Sequence, residues 1–156
     1  MDAGLIYKVP RAKVPQAPLK FYEDMNAFKL FMLDVGLMGA MAEVSAGSIL
    51  VDNKMFSGYK GAFSELYVFT QLKTTGLPLY YHSVDNSMIE IDFLVQQDDR
   101  IIPVEVKAEV NVKAKSLRTF VNNNSELKAI RYSMLPYKDQ EWMVNIPLYA
   151  CSVPYI

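Results

Sequence analysis

At 156 residues the chain is long enough to bury one core and short for two, so a single domain is expected. Its composition, 51% hydrophobic and 21% charged, excludes a disordered or low-complexity chain. Sixteen Lys and Arg against seventeen Asp and Glu leave a net charge of -1, which excludes a global positive field as the means of attracting nucleic acid; any such binding has to be local.

Residues 5–9 form a short apolar piece, after which Pro10, Pro15 and Pro18 punctuate a basic stretch that continuous helix cannot tolerate. Residues 10–20 therefore read as a linker-like segment, and residues 1–27 as a lead-in to one domain over 28–156. The apolar run at 28–33 suits a buried strand, and Asp34 is placed to cap a following helix that carries Val35, Leu37, Met38 and Met41. Capping alone accounts for Asp34 and is preferred to a role in a site.

Between Tyr59 and Thr75, the residues Phe63, Leu66, Tyr67, Phe69, Thr70 and Leu72 recur at helical spacing, and Gly76-Leu77-Pro78 supplies a stop. Glu65 lies within that helix beside apolar neighbours, read either as an inward carboxylate or as a solvated one. Three extended segments follow, at 79–83, 89–96 and 101–108, separated by polar turns. In the second, Ile89, Ile91, Phe93 and Val95 alternate with Glu90, Asp92 and Leu94. In the third, Ile102, Val104 and Val106 alternate with Pro103, Glu105 and Lys107. Each strand is thus expected to have an apolar face and a face that carries charge. Residues 115–122 read as a helix with Leu117, Phe120 and Val121 inward, and 127–133 as a strand reached by a parallel crossover. The tail from Trp142 reads as another extended piece with a short packed end.

Residues two apart on a strand share a face, so Glu105 and Lys107 project together, and Asp92 on the neighbouring strand can join them if the register allows. Two carboxylates meeting near a core invite a hard divalent cation, with Mg2+ the natural candidate and Mn2+ an acceptable one, because Mg2+ uses one or two carboxylates and keeps waters for chemistry. Lys107 would then orient a water or offset charge in a transition state. Glu90 shares the Asp92 face and reads as an outer acid or an exposed strand end. An isolated Glu-x-Lys is commonly an exposed ion pair, so the spacing to Asp92 carries the weight.

The segments Glu90-Ile91-Asp92-Phe93-Leu94-Val95 and Pro103-Val104-Glu105-Val106-Lys107 resemble the PD-(D/E)xK motif of restriction-endonuclease-like nucleases. Asp92 matches its aspartate, Glu105 and Lys107 its Glu-x-Lys, and Glu65 resembles the extra glutamate that many members supply from an earlier helix. The resemblance spans about residues 61–132. It implies an α/β fold with a three-layer core, a mixed central sheet flanked by helices, and metal-dependent phosphodiester cleavage, DNA being the expected substrate, with Asp92, Glu105 and Glu65 at the metal. Residues 28–37 and 61–65 further resemble the C-terminal domain of unknown function carried by prokaryotic AAA-type ATPases. That resemblance implies an ATPase module in the same protein, and a sequence that is its C-terminal part. This sequence carries no phosphate-binding Gly-Lys-Ser/Thr loop. The competing reading is a non-catalytic nucleic-acid- or protein-interaction module that keeps the nuclease fold.

Other residues weigh less. His82, the sole histidine, lacks partners for a zinc site or a triad and reads as a strand-end polar residue. Cys151 reads as a packed residue; being alone, it forms no internal disulfide and fits a cytoplasmic setting. Tyr80, Tyr81, Tyr132 and Tyr137 are capable of stacking on bases, although most are expected in the sheet or core. Lys107, Lys113, Lys115 and Arg118 crowd one segment, read equally as a solvated basic face or as phosphate contacts. No apolar run approaches the ~20 residues of a membrane span, and no signal-peptide pattern opens the chain.

Overall fold

A computed structural model describes residues 4–44, 59–85, 87, 89–109 and 114–151. Eight strands form one mixed sheet in the order β2-β1-β3-β4-β5-β6-β8-β7. They are β1 (Ile6–Ala12), β2 (Glu23–Met32), β3 (Leu79–Ser83), β4 (Glu90–Gln97), β5 (Arg100–Lys107), β6 (Ala129–Ser133), β7 (Lys138–Asp139) and β8 (Met143–Pro147). Among the described residues three α-helices accompany them: α1 (Val35–Met41), α2 (Lys60–Thr74) and α3 (Lys115–Asn123). The meander β3-β4-β5 is antiparallel, and β5-β6-β8 run parallel.

The helices form where the sequence marks them. The Asp34 side chain accepts the N–H of Leu37 at 2.8 Å and so caps α1, satisfying a donor that the first turn leaves free. α2 buries Leu66, Val68, Phe69 and Leu72, and the chain leaves it through Gly76, whose φ of +73° lies in the left-handed region that glycine enters without a Cβ penalty. α3 buries Leu117, Phe120 and Val121.

The two longer helices each cover a core, and α1 joins that of α2 through Val35 and Met38. Phe93, Val95 and Val104 pack with the α2 residues, while Ile91, Leu94 and Ile101 pack with those of α3. Neighbouring residues of β4 and β5 divide between the two clusters, which therefore lie on opposite faces of the sheet. The architecture is α/β in three layers, a mixed sheet between helices. Phe93, fully buried, sits 5.5 Å from the Phe31 ring and 6.3 Å from that of Phe69, centroid to centroid. Among the described residues, no helix is long and apolar enough to cross a membrane.

Three expectations change. Residues 10–12 are not a linker: β1 runs on to Ala12, pairs along its length with β2 and touches β3 at Arg11 and Tyr81, and Leu19 beyond it is fully buried. The Pro10 ring is tolerated because the β1–β2 register shifts there. Residues 28–33 are not a buried strand. β2 is the sheet's edge, where Phe28 and Leu30 remain exposed and Phe31 alone of that run turns into the core. Finally, β4 and β5 do not divide into an apolar and a charged face, because helices cover both. Their carboxylates and Lys107 gather instead at one end, where β4 begins and β5 finishes, while Arg100 stands at the turn.

Candidate functional site

The strand β4 is irregular where it matters. Tyr80 pairs with Leu94 and His82 with Ile91, so Asp92 and Phe93 together stand opposite Tyr81. Such a bulge inserts one residue, resets the alternation and re-aims the side chains beside it. Ile91 consequently joins the α3 core while Phe93 and Val95 join the α2 core.

On its other side, β4 pairs regularly with β5 from the turn as far as Phe93 and Val104. One step further the same register sets Asp92 across from Glu105, but the ladder stops. The Asp92 carboxylate takes over as acceptor: the Val106 N–H donates to Asp92 Oδ2 at 2.7 Å. The side chain thus occupies the place where a strand partner would be.

Around this splayed end the charged groups fall into two sets. In the first, Lys29 Nζ bridges Glu65 Oε1 at 2.9 Å and Glu90 Oε1 at 2.8 Å. Burial opposes the Lys29 charge, yet Glu65 and Glu90 outweigh it and hold its pKa above the ordinary lysine value. Burial and the nearby Glu65 carboxylate push the Asp92 carboxyl up to about 6, against the pull of the Val106 N–H, Lys29 and Lys107. In the second set, Lys107 Nζ lies 3.1 Å from Glu105 Oε1. Glu105 is 4% exposed, and its other oxygen, Oε2, is buried with no hydrogen-bond partner among the described residues. An unpartnered carboxylate oxygen in a core is costly and calls for an explanation. Lys107 interacts electrostatically with Asp92 as well, and so links the two sets.

The expected residues are thus at one end of the sheet but are not equivalent. Glu65 faces Lys29, and among the described residues no three His, Cys, Asp or Glu side chains converge closely enough to hold a metal ion. The Glu65 carboxylate also acts on Asp92, while Glu105 lies one register step beyond the last β4–β5 pair. Glu105 has a buried oxygen with no partner among the described residues and Asp92 a raised pKa; carboxylates are the donors that Mg2+ or Mn2+ would take, completing the shell with water.

Two residues escaped the sequence reading. Lys29 lies in the apolar stretch Phe28-Lys29-Leu30-Phe31, and Arg131 is a 7%-exposed arginine in β6, paired in register with Glu105. A lone cation inside an apolar strand segment is the signal that marks both. His82 is a packed residue: its Nδ1 lies 2.8 Å from the Ala12 carbonyl oxygen and its ring 5.1 Å from that of Phe120. Burial drives its pKa below the usual value. Cys151 is buried, which pushes its thiol up to about 11. Tyr80, Tyr81 and Tyr132 are buried, and Tyr137 is exposed. Lys113 lies outside the described residues.

A family model described as a domain of unknown function, DUF4143, matches residues 60–151. The chain belongs to the DUF4143 family. The DUF4143 match starts with α2 and takes in Glu65, Asp92, Glu105 and Lys107, but leaves Lys29 and the β1–β2 pair outside. No curated protein and no solved structure matches the chain.

Proposed function

We propose that this DUF4143 domain is a metal-dependent nuclease-like domain of the PD-(D/E)xK type, in which Asp92 and Glu105 hold Mg2+ and Lys107 serves the cleavage of a phosphodiester, DNA before RNA. The observation that carries the reading is Glu105, paired with Lys107 through Oε1, whose buried Oε2 meets no partner among the described residues at the end of β5 where the β4–β5 ladder stops beside Asp92. A bound Mg2+ supplies Lewis acidity toward a phosphoryl oxygen and lowers the pKa of a coordinated water. Asp92 is anchored by the Val106 N–H, so its carboxylate is oriented before any ligand arrives. Lys107, a compact cation 3.1 Å from Glu105, is placed to hold a water or to offset charge building on the phosphoryl group. Glu65 acts through Lys29, neutralising it and raising the proton affinity of Asp92, rather than as a metal ligand. The resemblance of residues 28–37 and 61–65 to ATPase C-terminal domains supports setting this activity in a larger protein with an ATPase module.

A second reading, an interaction module without catalysis, draws on the pairing of Lys29 with Glu65 and Glu90 and of Lys107 with Glu105, a network able to persist without metal. Plasmid nicking separates the two. The nuclease reading expects Mg2+-dependent nicking by the wild type that disappears in Lys107→Ala. Absence of nicking with either Mg2+ or Mn2+, or equal nicking by Lys107→Ala, would favour the module.

A further inference from the structure

The strand β6 brings Arg131 to the same face as Glu105, one strand away, since the two are register partners in a parallel pair. Arg131 is 93% buried when its 7% exposure is subtracted from the whole, and its Nε donates to Asn145 Oδ1 at 2.9 Å. Asn145 is otherwise fully used: it accepts from Ser133 Oγ and donates to the Leu135 and Pro136 carbonyls. Among the described residues Asn145 is the acceptor that meets the Arg131 guanidinium, and the Glu105 carboxylate acts on it electrostatically without a direct ion pair.

Arg131 lines a cleft of about 520 Å3 together with Lys115, Arg118, Thr119, Gln140 and Trp142. Among the described residues lining it none is acidic. The cleft includes the start of α3. Ala114 at the N-cap offers no side-chain cap, the first turn contains no acid, and Lys115 stands in it. A helix N-terminus prefers negative charge, so the basic residues here sit against the dipole. Arg118 in the second turn lies 5.1 Å from the Trp142 ring centre, stacked on one of its faces. Three cations and a helix N-terminus face one space whose described lining holds no acid, Arg131 alone among them feeling a carboxylate, that of Glu105 on the next strand; a single anion relieves them together.

The larger cleft of the molecule, about 700 Å3, does not share this character. It lies at the turn end of the β4–β5 hairpin, where Asp99 and Glu126 offset Arg100 and Lys128. The exposed apolar edge at Phe28 and Leu30 has nothing in the structure to say what covers it.

We propose that the cleft between α3 and β6, formed by Lys115, Arg118, Arg131 and Trp142, is a phosphate subsite that takes a backbone phosphate of the nucleic-acid substrate next to the one at Glu105 and Lys107. The identity of the phosphate's source rests on the nuclease reading; the anion chemistry of the cleft does not. Arg131, locked by Asn145, provides the fixed donor, Arg118 and Lys115 provide the mobile ones, and the exposed part of the Trp142 ring offers a flat surface to a neighbouring base.

Fluorescence anisotropy of a short labelled DNA, measured in EDTA over a series of salt concentrations with the whole chain, tests this. Arg118→Ala, at an exposed position where folding is not at stake, is expected to weaken binding about tenfold at low salt and to flatten the log-log salt dependence by about one. Arg131→Gln, checked for folding by circular dichroism, should do the same or more, and Arg118→Lys should restore part of the loss. Inorganic phosphate should raise the melting temperature of the wild type and not of Arg131→Gln. Unchanged affinity and salt dependence in Arg118→Ala would overturn the proposal, as would a phosphate effect on melting with no DNA binding at all. Failure here is distinct from failure of the nuclease reading. Nicking that needs Lys107 with DNA binding indifferent to Arg118 sinks only the subsite. DNA binding that needs Arg118 with nicking indifferent to Lys107 sinks only the nuclease.

Discussion

Asp92→Asn replaces a carboxylate by its neutral isostere while keeping an oxygen able to accept the Val106 N–H. In the metal-free protein the Asp92 carboxyl titrates at about 6 rather than 3.8, because burial and Glu65 disfavour its charge. The folded state therefore binds this proton more tightly than the unfolded chain does. Stability contributed by the protonated carboxyl is fully present below about pH 4 and is lost as pH rises toward 6, after which the loss is complete. The interval from 3.8 to about 6 corresponds, at 1.36 kcal/mol per pH unit, to about 3 kcal/mol. Urea unfolding in EDTA at a series of pH values between 4 and 8 measures it. The difference between Asp92→Asn and wild type should grow with pH over that interval, the variant gaining up to about 3 kcal/mol at pH 7. His82, whose pKa is lowered by burial, destabilises on acidification instead, but it is common to both proteins and cancels in the difference. A difference that is flat between pH 4 and 7 would refute the assigned environment of Asp92. Adding Mg2+ at pH 7 should stabilise the wild type and leave Asp92→Asn where it was.

His82→Ala removes a buried bond to the Ala12 carbonyl and the packing against Phe120; it should cost about 2–4 kcal/mol by urea unfolding without altering the metal dependence of nicking. Asp34→Ala deletes the cap of α1 and should cost about 1 kcal/mol in the same assay, and an effect on nicking at saturating Mg2+ would contradict a purely capping role.

The helices and the meander were legible because their signals are local. Asp34 caps where a capping residue was expected, and Gly76 ends α2 where a stop was expected. β3 covers the predicted segment, and β4 and β5 fall within a residue of theirs. Illegible were the features that depend on partners distant in sequence. The pairing of β1 with β2 and β3 is invisible in a proline-punctuated segment, since a β-bulge at Pro10 and a neighbour dozens of residues away supply what local propensity denies. The bulge at Asp92 and Phe93 escaped for the same reason: strict alternation is assumed in reading faces, and one inserted residue reverses it. Of the candidate site, the Asp92, Glu105 and Lys107 grouping followed from spacing two along a strand and from the hairpin. The engagement of Glu65 by Lys29, and the stacking of Arg131 beside Glu105, required the sheet order.

A divalent cation at Asp92 and Glu105 is the claim on which the rest depends, and calorimetric titration of Mn2+ into the folded chain at pH 7 tests it most directly. One equivalent bound by the wild type, and none by Glu105→Gln with its fold retained, is the result predicted from the free buried Oε2. The same titration giving no heat of binding in the wild type, or an undiminished isotherm in Glu105→Gln, would contradict it.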